Sequence, residues 1–322
     1  MTGPLHRVAG EPAGDGTVVE VTPQDAGWEW TGLTVLSLPP GGTRTVRTGP
    51  SEVFVLPLAG ALALRVTGPA ADEVELTLTG RESVFTAVTD FAYVGRDSEV
   101  VLTNPSGDRP AEVALPSSRC SRALPPAYGA AADVPVEVRG AGTATRQVTN
   151  FGVPGVWDHA EKLVCCELLT PPGNWSSYPP HKHDASACAD GEPCPVVNEE
   201  IYYYRIAGED QVTPSRTGFG LHRTYTGPEH ADAGLGPVDE LVEVRDHDVV
   251  LVPHGYHGPC VAAPGYPMYY LNVMAGPADG RAMAFCDDAA HGWVRATWDD
   301  TAPDPRCPMT SADGPVPREG TR

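Results

Sequence analysis

Lysine is nearly missing from this chain. Of 22 basic residues only two are lysines, Lys162 and Lys182; the rest are arginines. Basic charge is scarce altogether, because 42 acidic side chains leave a formal net charge of −20. A surface that acidic repels phosphate backbones and anionic headgroups, which argues against nucleic-acid and membrane partners. Long apolar runs are absent too. No window holds eighteen consecutive apolar residues, so no transmembrane helix is expected. The opening MTGPLHRVAGEPAGDG lacks the apolar centre of a secretory signal, and the chain reads as cytoplasmic. Helical periodicity is sparse, with 278–290 and 292–299 as weak candidates, which excludes a helical bundle.

Turn formers are plentiful. The 322 residues include 35 glycines and 34 prolines beside a 41% apolar content. That mixture describes many short strands joined by turns, with enough apolar material for a sizeable core. TVVEVT, LTVLSL, ALALRV, EVELTL, KLVCCELL, EEIYYYRI and MYYLNVM carry the alternation or β-branching of strands. The eight cysteines read as reduced thiols in such a chain. Cys165 and Cys166 sit in an apolar run. Cys188 and Cys194 lie in a Gly/Pro/Asp-rich loop, and their spacing suits a zinc pair poorly.

The chain repeats itself. LSLPPGG (36–42) mirrors LLTPPGN (168–174), and SEVFVLPLAG (51–60) mirrors EEIYYYRIAG (199–208). GRESVFTAV (80–88) and RDSEVVLTNPSG (96–107) find counterparts in VRDHDVVLV (244–252) and GYPMYYLNVMAG (265–276). Four blocks in the same order indicate two homologous halves, 15–135 and 145–298, followed by a polar, Pro-rich tail at 299–322. The alignment pairs Glu52 with Glu200 and leaves about sixteen extra residues, DASACADGEPCPVVNE, in the second half. Two tandem all-β barrels are the simplest architecture.

Histidines mark the second copy. In an extended strand residues i and i+2 share a face, so His181 and His183 point together and Lys182 points away. Two imidazoles and a carboxylate converging inside a barrel suit a divalent metal ion. Glu200, heading a strand whose same face carries Tyr202 and Tyr204, is the carboxylate. His254 and His257 in PHGYHGPC offer a further ligand. The matching stretches of the first copy, VTDFAYV and RTVRTGPSE, hold no histidine. His222, on the strand GFGLHRTYT, reads either as a satisfied core histidine or as a proton shuttle.

PPHKHD, EEIYYYRI, GFGLHRTYT, VLVPHGYHGPC and YPMYYLNVMAG together resemble the 5-deoxy-glucuronate isomerase family of inositol catabolism. These are bicupins related to the 4-deoxy-L-threo-5-hexosulose-uronate ketol-isomerases. The resemblance runs over most of the chain and departs from the family in the cysteine-containing insert. It implies a divalent ion, zinc or alternatively manganese, on His181, His183, Glu200 and His257, with His254 as the alternative last ligand. It also implies an aldose–ketose isomerisation of 5-deoxy-D-glucuronate to 5-dehydro-2-deoxy-D-gluconate, and association into a homo-oligomer.

Such chemistry needs a Lewis acid, a means of moving a hydrogen between adjacent carbons, and a cation for the substrate carboxylate. Arg223 is the favoured carboxylate clamp, with Lys182 and Arg205 behind it. His222, Tyr202 and Tyr204 are the candidates for the proton step, while a hydride shift needs no base. Two other classes fit the same residues: a non-haem metal dioxygenase with an aromatic-lined interior, and a non-enzymatic sugar-binding bicupin.

Overall fold

The computed structural model describes residues 4–10 and 12–317. The first half is built around one long strand, Ser51–Gly68. Its leading part pairs with Phe91–Val94 and Ala111–Arg119; its trailing part pairs with Ala71–Arg81 and Glu99–Thr103. The change of partners falls at Gly60, where φ is +82° and the register slips on both sides. A bulge there bends the strand from one sheet face into the other. The bend closes a barrel over an aliphatic interior that includes Val53, Val55, Leu62, Leu64, Val66, Val100 and Leu102.

The second half uses two sheets. One contains Val164–Thr170, Glu199–Ile206, Val249–Val252 and Met268–Ala275. The other contains His181–Lys182, Gly220–Tyr225, Asp239–Val244, Tyr256–Ala262 and Cys286–Asp287. Alternation turns Tyr202, Tyr204, Tyr270, Cys166, Cys260, Met268 and Met274 inward.

The halves share a core. Phe54, Leu56 and Leu58 of the first meet Ile201, Tyr203, Tyr269 and Leu271 of the second. Buried charge is paired across the same boundary. Arg81 holds Glu167, which also accepts from the Tyr269 hydroxyl at 2.7 Å. Arg205 bridges Glu112 at 2.6 Å and Asp246 at 2.8 Å. The N-terminal strand His6–Arg7 crosses over and pairs with Val249–Val252 of the second half.

The structure differs from the sequence reading in four places. Segment 278–290 forms no helix; Cys286–Asp287 within it pairs as a strand with His181–Lys182, and that pairing overrides local propensity. The tail packs rather than trailing: Met309 and Thr310 are buried, and their amides donate to Gln147 Oε1 at 2.7 and 2.9 Å. Its final residues, 318–322, lie outside the described residues. Cys188 and Cys286 are joined as a disulfide, not reduced, and Cys194 Sγ lies 3.3 Å from Cys286 Sγ. Their separation of 98 residues hides that proximity from any spacing argument.

The fourth difference is one of register. Val53 and Val55 face the first barrel, whereas Glu200, Tyr202 and Tyr204 face the second. Glu52 therefore corresponds to Glu199, and the partner of Glu200 is Val53. A one-residue slip exchanges the two faces of a strand. The hydrogen bonds agree. Glu52 accepts from the amides of Glu161, Lys162 and Leu163 in the second half, and Glu199 accepts from those of Glu29, Trp30 and Thr31 in the first.

Candidate active site

Strand pairing assembles the histidines. His181 and His257 are direct cross-strand partners, and His183 follows two residues on. Glu200 arrives from the facing sheet. His183 Nε2 lies 3.0 Å and His257 Nε2 3.1 Å from Glu200 Oε2, with all three side chains buried. The ring of His181 sits 4.6 Å from that of His257, centroid to centroid.

The opposite ring nitrogens decide the chemistry. Nδ1 of His181 is 3.2 Å from the Pro179 carbonyl, that of His183 is 3.0 Å from Asn198, and that of His257 is 3.2 Å from Gly255. A carbonyl only accepts, so each Nδ1 carries the proton and each Nε2 presents a lone pair. Lone pairs of His183 and His257 then face a carboxylate oxygen. His257 Nε2 is buried without a hydrogen-bond partner. Such an arrangement suits a cation between the groups: the ligand atoms of His183, Glu200 and His257 lie within 4.8 Å of one another, close enough to hold a metal ion, with His181 beside them. Burial, with His257 and His183 nearby, keeps His181 neutral far below its usual pKa.

Lys182 points away from this cluster. Its ammonium donates to Ser186 Oγ and to the Ala187 carbonyl, lies 3.5 Å from Asp184 and covers the Tyr256 ring. Asp184 also accepts from the Gly255 amide at 2.7 Å. Lys182 thus ties the insert to the loop that leads into the His257 strand. His254 lies in that loop too, but its Nε2 is 2.8 Å from the Gly236 carbonyl, outside the cluster.

The cluster opens into a cavity of about 220 Å³ between the sheets. Tyr202, Tyr270, Asn272 and Met274 line it from one sheet; Met283 and Phe285 line it from the chain that crosses its mouth. Three arginines, Arg139, Arg146 and Arg295, also line it. Of the side chains considered for the proton step, Tyr202 lines the cavity and bonds Ser177 Oγ at 3.1 Å. His222 and Tyr204 lie behind it. His222 Nδ1 meets the Tyr204 hydroxyl at 2.6 Å, and its Nε2 meets Thr224 Oγ1 at 3.0 Å. Burial drives its pKa down to about 3.

The cations favoured from sequence lie elsewhere. Arg223 is on the outer face of its strand, paired with the exposed Asp239. Arg205 is committed to the inter-half ion pairs. The three cavity arginines escaped notice because they come from the junction of the halves and from the 3₁₀ helix Gly292–Trp298, which occupies the 292–299 helical candidate. One signal was available: Arg139 and Arg146 flank the turn-forming GAGTAT, and they are direct cross-strand partners. Tyr270, Asn272 and Met274 follow from simple alternation along MYYLNVM.

Two tandem barrels, the second with a His/Glu cluster on the wall of its cavity, define a protein of the bicupin class. Residues 5–294 match the KduI/IolB family, and the chain belongs to it. It is 36% identical over 286 residues to the 5-deoxy-glucuronate isomerase of Geobacillus kaustophilus (strain HTA426), covering 88% of this chain and 92% of that one. It is 34% identical over 278 residues to the enzyme of the same name from Bacillus subtilis (strain 168), covering 86% and 92%. Among solved structures, an IolB-like protein from Salmonella typhimurium LT2 superposes with a TM-score of 0.73 at 29% identity, covering 91% of this chain and all of that one. The oxalate decarboxylase of Lactobacillus farciminis shares the fold, with a TM-score of 0.60 at 11% identity and 89% of each chain covered. The chain is therefore an enzyme of an isomerase family with a cupin fold. Among the described residues no helix is long and apolar enough to cross a membrane.

Proposed function

We propose that this chain is a metal-dependent isomerase that converts 5-deoxy-D-glucuronate to 5-dehydro-2-deoxy-D-gluconate in cytoplasmic inositol breakdown. The observation that carries the reading is the convergence of His183 and His257 Nε2 on Glu200 at the wall of the hollow barrel, with His181 beside them. The relatives' names supply the substrate, and the cavity supports it.

His181, His183, Glu200 and His257 would hold the ion, which supplies Lewis-acid polarisation of the substrate carbonyl and its neighbouring hydroxyl. Zinc is our first choice and manganese the second, since the donor set accepts both. The backbone carbonyls behind the imidazoles fix their orientation before substrate arrives. The buried Asn272 amide nitrogen has no partner among the described residues, so it is placed to donate to a substrate oxygen. Burial keeps the Tyr202 phenol protonated far above its usual range. Tyr202 therefore acts as a proton donor or relay toward the reacting carbons, not as a resting phenolate. Met274, Met283 and Phe285 give the cavity an apolar wall.

The test is a proton NMR time course with 5-deoxy-D-glucuronate in D₂O, with and without a chelator. Chelator-sensitive conversion to the keto acid is the expected result. Deuterium at the product's C6 would indicate proton exchange through an enediol. No conversion by folded, metal-loaded protein overturns the assignment.

A further inference from the structure

The three cavity arginines are not equivalent. Arg139 is paired through both arms of its guanidinium with Glu137, at 2.9 and 2.7 Å. Arg295 is paired in the same two-armed way with Asp287. Among the described residues no carboxylate pairs with Arg146. It is 4% exposed, donates from Nη1 to the Ala144 carbonyl at 3.1 Å, and leaves Nε without a partner. The Trp298 ring covers it at 5.7 Å, and a side chain at Gly140 would press on Nη1. The guanidinium is thus held in one place with bonding capacity to spare.

A buried charge without a counter-ion is costly, and proteins retain one where a ligand completes it. Burial, with Arg139 and Arg295 near, lowers its pKa to about 10, which leaves it charged at neutral pH. The neighbouring carboxylates compensate it only in part, because Glu137 and Asp287 are each hydrogen-bonded to their own arginine. The carboxylate among the residues that line the cavity is Glu200, which faces the histidines.

We infer that Arg146 is the anchor for the carboxylate of an acidic sugar whose reacting end lies at the histidine–glutamate cluster. A planar guanidinium offers two parallel donors to a carboxylate, which fixes both position and orientation. Arg139 and Arg295 add positive potential around it, while their own partners keep them from competing for the ligand. The cavity therefore selects aldehyde acids over neutral aldoses of the same length. This inference rests on the isomerase reading for the identity of the acid, but not for the existence of the anchor.

Two measurements separate the ideas. Calorimetry with D-glucuronate and with neutral D-glucose reads binding without turnover. Steady-state kinetics with 5-deoxy-D-glucuronate and its neutral counterpart 5-deoxy-D-glucose read selectivity. Arg146→Gln, checked for folding by its thermal transition, is expected to lose calorimetric glucuronate binding. Its kcat/KM for the acid should fall on the order of 100-fold, mostly through KM, with the preference over the neutral sugar collapsing. Arg146→Lys keeps the charge, loses the fork, and should fall between the two; it also serves if the glutamine variant does not fold. A folded variant with wild-type KM and wild-type selectivity overturns the anchor while leaving the isomerase standing. Wild-type protein that binds glucuronate through Arg146 but turns nothing over does the reverse.

Discussion

The two copies of the barrel differ most at one strand position. The first copy places Val53 there, and the second places Glu200. Val53 belongs to an aliphatic cluster with Val55, Leu64, Val94 and Leu115, and the cavity of about 260 Å³ that it lines is walled by no histidine or carboxylate. Glu200 is surrounded by imidazoles, tyrosines, an asparagine and arginines, and the second interior is hollow. The outward-facing neighbours, Glu52 and Glu199, do the same work in both copies: each accepts three backbone amides from the opposite half. The scaffold and the way its halves dock are common property. Chemistry was assigned to one copy by what its strands turn inward.

The largest expected effect comes from giving the second copy the first copy's residue. Glu200→Val should stay folded, because valine is what the sister position carries. It should lose bound metal by atomic spectroscopy, and turnover should drop by at least ~10³-fold. A variant that keeps a full metal complement would show that the carboxylate is not a ligand. The converse exchange should be felt as stability, not activity. Val53→Glu buries a carboxylate with no imidazole to answer it, and should cost about 3–5 kcal/mol in urea unfolding. A loss below ~1 kcal/mol would mean that the first interior is wetter than its aliphatic lining implies.

Much of this contrast is legible in the chain. Alternation and turn residues are enough for an all-β, two-copy fold, because strand period and Gly/Pro punctuation are local properties. The spacing of His181 and His183 puts both on one face for the same reason. Register is not local. EEIYYYRIAG and SEVFVLPLAG align by residue type at Glu52 and Glu200, yet the faces differ by one residue, since a pleated strand carries no mark of which side meets the core. Arg146 was invisible for a related reason. An unpaired arginine is defined by the carboxylates that fail to reach it, and those lie on other strands. The Cys188–Cys286 link joins the insert to the chain at the cavity mouth, a proximity that only the pairing of Cys286 with Lys182 creates.

The smallest effect on turnover should come from His222, a buried polar residue of the second copy that stands behind the cavity. Its nitrogens are occupied by Tyr204 and Thr224, so His222→Gln should leave kcat/KM within ~3-fold and cost about 1–2 kcal/mol of stability. The pH dependence distinguishes this from a catalytic role. In the folded protein His222 resists protonation down to about 3, whereas an unfolded histidine titrates near ~6.5. The unfolded chain therefore binds the extra proton first as pH falls. The stabilising contribution is complete above ~6.5 and shrinks steadily toward pH 3. The stability gap between wild type and His222→Gln should narrow and then reverse as pH falls through that window, while the pH–rate profiles of the two enzymes superimpose. A shift of the acid limb of kcat in the variant would instead place His222 in the proton path. The second barrel would then do its chemistry two layers deep, with Tyr202 passing the proton on.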